Sequence, residues 1–307
     1  MTFDTDRPAK QRPLAAIGLR LITAILLALM FAMVKLASTR GVNLVETLFY
    51  RQLGSAVCAT ALVAGGAGFA SLRTKRVGAH VLRMGLGMTS MALNFLAMIM
   101  LPLADATAIG FSVPIFSTLL AALTLGEATG RWRWGAVLAG FVGVLLIIQP
   151  GRSVVPLGGS VAVAGALLTA SVTIMIRRLG ATERAATTVF WFAISSLVPM
   201  GLLMLWFAEP HDNGTWAVLL AMALTGGLAQ LTLTASLRLA PVALVMPMDY
   251  TSLLWATLLG VWLFAELPTH STWLGAPVII GSGLVILWRE HRRARRSASE
   301  VGMAEAE

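Results

Sequence analysis

The stretch of the sequence best suited to chemistry places a charged and an aromatic side chain inside an apolar run. Asp249 and Tyr250 follow Pro247 in VMPMDYTSLLWATLLG, which is otherwise almost entirely apolar. An ionisable side chain at membrane depth is costly and often marks a functional site. We therefore expect Asp249 to bind an ammonium group or a coupled proton. The alternatives are an ion pair with Arg51, the other deep ionisable residue, and a side chain that reaches the membrane surface.

Two carboxamides extend this candidate site. When TSMALNFLAMIMLPLA (89–104) is aligned with TGGLAQLTLTASLRLA (225–240), Asn94 falls on Gln230. A carboxamide has both donors and acceptors, and it is costly in hydrocarbon unless it is bonded. The pair is therefore expected either to bind a zwitterion or to hold neighbouring helices together.

Methionine and hydroxyl side chains surround these carboxamides. Met88 and Met91 share one helical face with Asn94, and methionine recurs at surfaces that bind varied apolar groups. Ordinary core packing explains the same face equally well. Thr234 shares a small, polar face with Gln230. The candidate site therefore combines methionine side chains with small polar ones.

An aromatic residue followed by a hydroxyl occurs twice, as Phe111-Ser112 and Tyr250-Thr251. Pro114 and Pro247 lie nearby, and each proline frees a backbone carbonyl and can mark a gating bend. Asp249 and the two prolines are therefore expected to serve gating or coupling, whereas Phe111, Ser112 and Tyr250 are expected to line the site.

The elements that carry these residues are predicted to be membrane helices. The chain of 307 residues is 57% hydrophobic and 12% charged, with a mean hydropathy of +0.82. Apolar runs long enough to span a bilayer recur along it. We predict an all-α integral membrane protein with ten spans, at about 14–37, 45–68, 79–99, 102–126, 133–149, 156–177, 185–208, 214–236, 240–265 and 272–289.

The basic residues predict the orientation of these spans. With both termini in the cytoplasm, only Lys35, Arg40 and Arg152 lie outside, and most other Lys and Arg side chains lie inside, as the positive-inside rule requires. Residues 1–13 and 290–307 are then cytoplasmic tails. Lys35 and Glu46, near helix ends, are expected to reach interfacial water.

An internal repeat divides the chain into halves at 14–149 and 156–289. Residues 101–127 resemble residues 237–266, and the pairs Glu127/Trp134 and Glu266/Trp273 have the same spacing. Each half has five predicted spans, so the second half enters the membrane inverted. Inverted repeats are typical of secondary transporters, whose substrate site lies between the halves near the midplane. Glu127, Glu266, Trp134, Trp273 and Arg51 are assigned structural roles.

These residues resemble the drug/metabolite transporter superfamily, EamA type. The resemblance rests on LGEATGRWRWGAVLAG (125–140) and FAELPTHSTWLGAPVIIGSG (264–283) and covers nearly the whole chain. Ala265 replaces the usual glycine, and Gly135 follows Trp134 without a spacer. The resemblance is closest to the bacterial YddG-type exporters of aromatic and other neutral amino acids. It implies amino-acid export across the inner membrane by alternating access, with another small amphipathic metabolite or drug as the alternative.

Other function classes are disfavoured by the sequence. The net charge of +9 is spread over the ends of apolar runs rather than forming a nucleic-acid patch. The four histidines lie near span ends or in loops, and the chain contains neither HExxH nor GxSxG. We therefore expect no enzyme activity, no metal, no cofactor and no nucleic-acid partner. The expected partners are a small-molecule substrate and lipids, and the protein is expected to be a monomer or a homodimer.

Overall fold

A computed structural model describes residues 12–65, 68, 72–125, 131–149, 156–180, 183, 185–240 and 242–304. The first part of the chain forms α1 (Pro13–Thr39), α2 (Leu44–Gly65), α3 (Val77–Met100), α4 (Leu103–Gly110), α5 (Val113–Leu125) and α6 (Arg131–Ile148). The second part forms α7 (Pro156–Gly180), α8 (Ala185–Phe207), α9 (Asn213–Leu239), α10 (Val242–Val245), a 3-10 helix (Met246–Thr251), α11 (Ser252–Phe264) and α12 (His270–Ala304).

The described part of the chain is helical, and a helix satisfies its own backbone hydrogen bonds within a bilayer. Seven of its helical stretches are long and apolar enough to cross a bilayer, at 13–39, 77–100, 103–123, 157–176, 187–207, 213–237 and 270–288. Apolar side chains such as Trp262 (80% exposed) and Leu205 (76% exposed) point away from the bundle, where lipid would cover them. The number of ten spans and the inverted arrangement stay predictions.

Two predicted spans are broken at proline-containing positions. The span predicted at 102–126 is interrupted at Phe111 and Ser112, between α4 and α5, just before Pro114. The span predicted at 240–265 consists of α10, a 3-10 helix that contains Pro247, and α11. Proline lacks the N–H that an α-helix needs and its ring clashes with the preceding turn. Both breaks therefore follow from the sequence, although the predicted spans were continuous.

The last helix is longer than the predicted span. It continues from His270 to Ala304, through the basic segment that was assigned to a tail beginning at residue 290. This segment is rich in arginine, alanine and glutamate, which are good helix formers, and it contains no proline.

Helices from the two parts of the chain pack against one another. α1 packs on α9, α3 on α7, α6 on α12, and α2 on both α8 and α9. Small residues allow the closest approaches, since Gly54 of α2 touches the backbone of Ala223 in α9, and Gly143 of α6 touches Gly275 of α12. Small residues at Gly54 and Ala223 therefore let α2 and α9 come into backbone contact.

Gly54→Val is expected to lower the free energy of unfolding by about 2 kcal/mol, because a side chain forced against packed neighbours strains the core. A β-carbon at Gly54 would lie 2.7 Å from the carbonyl carbon of Ala223, which is backbone and cannot rotate away. The control is Gly65→Val on the same helix, where an added β-carbon meets nothing within 4 Å. Thermal unfolding in detergent compares the two, and equal melting temperatures would contradict the expectation.

Candidate functional site

The ninth predicted span is held to α1 by an ion pair. Arg20 donates from Nε to Oδ1 and from Nη2 to Oδ2 of Asp249, both at 2.5 Å. Arg20 is 5% exposed and the Asp249 side chain is 35% exposed. The two parallel hydrogen bonds of an arginine fork fix both position and orientation. The pair therefore ties the 3-10 helix to the first helix of the chain.

Asp249 has a partner that the sequence did not suggest. An ion pair with Arg51 was one alternative for Asp249, and that alternative is wrong, because Arg20 binds this carboxylate instead. Arg20 lies seven residues into α1 and faces the bundle, so it belongs to the span itself. The remaining terminal nitrogen of Arg20, Nη1, is buried without a partner among the described residues.

The two aromatic residues that the repeat made equivalent meet in the structure. The rings of Phe111 and Tyr250 lie 5.0 Å apart between centroids at an interplanar angle of 81°. Tyr250 extends toward Gly283 of α12, where any β-carbon would collide with its hydroxyl, and this hydroxyl is buried without a partner in the described part of the chain. Ser112 is fully buried, and its hydroxyl donates to the carbonyl of Ile109 at 2.6 Å. The two broken spans are thus in contact through Phe111 and Tyr250, whereas the Ser112 hydroxyl is hydrogen-bonded to the backbone of its own span.

Asn94 connects two helices. Its Nδ2 donates to the carbonyl of Ser90 at 2.7 Å and to the hydroxyl of Thr169 in α7 at 3.1 Å. Gln230 is partly buried on α9, and its backbone carbonyl accepts from the Thr234 hydroxyl at 2.8 Å. The geometry at Asn94 therefore matches the alternative in which the carboxamide holds two helices together. The Thr234 hydroxyl is hydrogen-bonded to the backbone of its own helix.

The methionine face packs in the core. Met88 is 7% exposed, and Met91 packs with it against a cluster that contains Met30, Phe95 and Met222. The geometry of both side chains therefore matches the packing alternative.

A second ion pair involves Lys35 and Glu266. Lys35 Nζ lies 2.5 Å from Glu266 Oε2 and donates to the carbonyl of Leu101 at 2.7 Å. Lys35 is 6% exposed, so the expectation that it reaches interfacial water was wrong. Because α1 packs against the ninth predicted span, the Lys35 ammonium group binds the Glu266 carboxylate instead of water. Glu266 thus joins two elements, and Glu127, its repeat equivalent, lies outside the described residues.

Glu46 was also expected at the membrane surface, and this was wrong. It is 1% exposed, and its carboxylate accepts from Asn43 Nδ2 at 2.9 Å and from the Glu209 N–H at 3.1 Å. The ring of His211 lies 3.1 Å from the same carboxylate. The loop between α8 and α9 therefore folds over the start of α2.

Asp105 is a buried carboxylate that was not among the predicted site residues. This residue of α4 is 3% exposed, and it accepts from the Thr272 hydroxyl at 2.7 Å and the Thr269 N–H at 3.2 Å. Asp105 thereby holds the residue before α12 and the first turn of α12 against α4. The signal was present in the sequence, because Asp105 is an acidic residue two positions into an apolar helix.

Trp134 and Trp273 have exposed rings, at 40% and 62%. Aromatic residues of this kind sit well at membrane interfaces. Pro114 and Pro247 lie at the two breaks described above, beside Phe111 and within the 3-10 helix that presents Asp249. The prolines are thus placed where a bend can move the candidate residues.

One groove of about 200 Å³ lies between α3, α5 and α7. None of the predicted site residues lines it. Its walls are mainly apolar and consist of Leu82, Leu86, Leu120, Ser171, Ile174, Met175 and Arg178.

Comparison with known proteins gives consistent matches. Residues 156–288 match the EamA-like transporter family. A riboflavin transporter of Rhizobium johnstonii is 32% identical over 75% of this chain and 77% of its own length. A riboflavin transporter of Vibrio cholerae is 29% identical over 74% and 76% of the two chains. A pseudopaline exporter of Pseudomonas aeruginosa is 30% identical over 61% and 66%.

Other relatives differ in cargo. An S-adenosylmethionine uptake transporter of Rickettsia felis is 25% identical over 74% of this chain and 77% of its own length. A solved crystal structure superposes with a TM-score of 0.60 over 90% of this chain and 98% of that chain, at 21% identity, which shows a shared fold alone.

Proposed function

Because the chain belongs to the EamA-like transporter family, we propose that it is a secondary transporter of a small amphipathic metabolite in a bacterial inner membrane, with riboflavin as the first candidate. The family and the names of its relatives favour transport over enzyme activity. These names concern riboflavin, S-adenosylmethionine and pseudopaline. They favour the alternative expected from the sequence, another small metabolite, over neutral amino acids.

The proposed architecture is ten spans in two inverted five-helix repeats. The helix pairing supports it, because an inverted repeat must pair its helices reciprocally. In such an arrangement α1 corresponds to α7 and α3 corresponds to α9. Exchanging the two halves then turns the contact of α1 with α9 into the contact of α7 with α3, and both contacts are present. The same exchange leaves the contact of α6 with α12 unchanged, because these two helices are equivalent.

The proposed mechanism is alternating access at the interface of the halves. Phe111 and Tyr250, one from each half, lie in contact where the two broken spans approach each other. A bend at these breaks changes how the aromatic side chains and the adjoining Arg20–Asp249 pair meet. The broken spans are therefore the elements that we expect to move.

The similarity to three riboflavin transporters carries the substrate proposal. Riboflavin joins a planar, tricyclic ring system to a hydroxylated chain. Aromatic side chains bind planar rings by stacking or edge contacts, as Phe111 and Tyr250 already do with each other. Relatives named for uptake and for export both occur, so we propose that the direction of net flux follows the gradients.

The proposal is tested in bacteria that cannot synthesise riboflavin and lack their own transporter for it. Cells expressing this chain are expected to grow at low external riboflavin and to accumulate the labelled vitamin, whereas cells with an empty vector do not. Absence of growth and uptake, with the protein present in the membrane fraction, would contradict the riboflavin proposal. Labelled phenylalanine in the same cells tests the amino-acid alternative.

A further inference from the structure

Arg51 lies in the middle of the helix bundle. It is partly buried on α2, and its side chain faces Gly226, the central residue of α9. A β-carbon at Gly226 would lie 3.8 Å from Cγ of Arg51 and 2.9 Å from Sδ of Met30 on α1. The contact between Gly54 and Ala223 brings α2 and α9 close together just beside it. The Arg51 side chain is thus placed between α1, α2 and α9, beside the central residue of α9.

This arginine has an uncompensated charge. Asp249 is bound by Arg20, Glu266 by Lys35, and Glu46 by Asn43 and His211. Among the residues that the structure describes, no carboxylate pairs with Arg51, and its Nε is buried without a partner. An unpaired cation in a protein interior destabilises the fold, because burial removes its hydration. Such a charge at membrane depth indicates a role in function rather than in stability.

The guanidinium is held in place by its neighbour in the chain. Its Nη1 donates to Oε1 of Gln52. Gln52 is fully buried, and its Nε2 donates to the Ser196 hydroxyl of α8 at 2.5 Å. Both ends of the Gln52 amide are therefore occupied, which orients Arg51 and leaves its other donors for a ligand. An oriented guanidinium loses little freedom when it binds.

We propose that Arg51 is the specificity-determining cation of the transport site, and that it selects solutes with hydrogen-bond acceptor oxygens and no net positive charge. This inference rests on the proposed function. The imide carbonyls of a flavin ring or a carboxylate accept charge-assisted hydrogen bonds from a guanidinium. A sulfonium cation with net positive charge, such as S-adenosylmethionine, is repelled by the same group. The charge on Arg51 thus distinguishes between the solutes for which the relatives are named.

The test compares purified wild-type protein with Arg51→Gln, Arg51→Lys and the exposed control Arg40→Gln, all in proteoliposomes. Uptake of riboflavin, S-adenosylmethionine and phenylalanine is measured as a function of concentration. Wild type is expected to carry riboflavin and not S-adenosylmethionine. Arg51→Gln is expected to raise the KM for riboflavin about 10-fold or more, as loss of a hydrogen bond from a charged group predicts. The KM of Arg51→Lys for riboflavin is expected to lie between those of wild type and Arg51→Gln. The KM of Arg40→Gln is expected to equal that of wild type.

The possible failures are distinguishable. If wild type carries riboflavin and a folded Arg51→Gln carries it with an unchanged KM, the Arg51 proposal is wrong and the proposed function stands. If Arg51→Gln does not fold, competition on wild type decides, because displacement of riboflavin by S-adenosylmethionine at equal concentration overturns the proposal. If wild type carries S-adenosylmethionine instead, the riboflavin assignment and the role of Arg51 both fail. If no solute moves, the proposed function fails and this inference fails with it.

Discussion

Asp249→Asn is expected to abolish transport and to lower the free energy of unfolding by about 3 kcal/mol, the lower end for breaking a buried ion pair. The substitution removes the charge that Arg20 binds through two hydrogen bonds of 2.5 Å. Arg20 is 5% exposed, so its charge remains buried without compensation. The partial exposure of Asp249 (35%) keeps the estimate at the lower end. Thermal unfolding and riboflavin uptake are measured on the same preparation.

A double variant separates stability from function at this pair. Arg20→Met combined with Asp249→Leu replaces both charges by apolar side chains, which is often neutral for stability. We expect it to unfold near the wild-type temperature and yet to transport poorly, because the pair that joins α1 to the 3-10 helix is lost. A single Asp249→Asn variant with wild-type stability and uptake would show that the ion pair has neither role.

Lys35→Met is expected to have the second largest effect, a loss of about 2 kcal/mol in the free energy of unfolding together with reduced uptake. Lys35 is 6% exposed and joins Glu266 and the Leu101 carbonyl, both of which lose their partner. The Glu266 side chain is 31% exposed, so water compensates part of the loss. The control is Lys75→Met, an exposed lysine outside the helices, for which no change is expected. Equal unfolding temperatures for the two variants would contradict this.

The two ion pairs lie toward opposite ends of the same helix. Arg20 and Lys35 are separated by roughly 22 Å along α1 at about 1.5 Å per residue. Both of their partners come from the stretch that includes the 3-10 helix and the end of α11. α1 is therefore fastened to the ninth predicted span near both ends. In the proposed alternating access the two halves separate at one end at a time, so the two pairs are expected to break in alternation.

The sequence predicts the helical membrane fold and the family because apolar runs, loop residues and repeated motifs are local features. It predicts a bend at Pro247, beside Asp249 and Tyr250, because proline acts on its own helix turn. The division of this span into α10, a 3-10 helix and α11 was not predicted. The residue that binds each buried charge, by contrast, depends on how distant parts of the chain pack together. Arg20 and Arg51 are both arginines in apolar helices, and only the packing of α1 against the 3-10 helix decides which one reaches Asp249.

The carboxamides illustrate the same distinction. Aligning the two predicted halves makes Phe111 and Tyr250 equivalent, and the two rings are in contact. The same alignment pairs Asn94 with Gln230, yet Asn94 is bonded to Thr169 of α7. Repeat equivalence fixes the position along a helix, whereas the rotation of that helix determines which side chains face the interior. Its position in an apolar helix marks Asp105 as a candidate, but its partners, Thr269 and Thr272, follow it by more than 160 residues and could not be identified from the sequence.

The central claim is that this chain by itself carries a small amphipathic metabolite across a membrane, with riboflavin as the first candidate. Counterflow in proteoliposomes tests it most directly: vesicles containing purified protein are loaded with unlabelled riboflavin and diluted into a trace of labelled riboflavin. We expect a transient accumulation of label above equilibrium, which protein-free vesicles do not show and which Asp249→Asn abolishes. Label that only equilibrates, at the rate seen without protein, would contradict riboflavin transport by this chain.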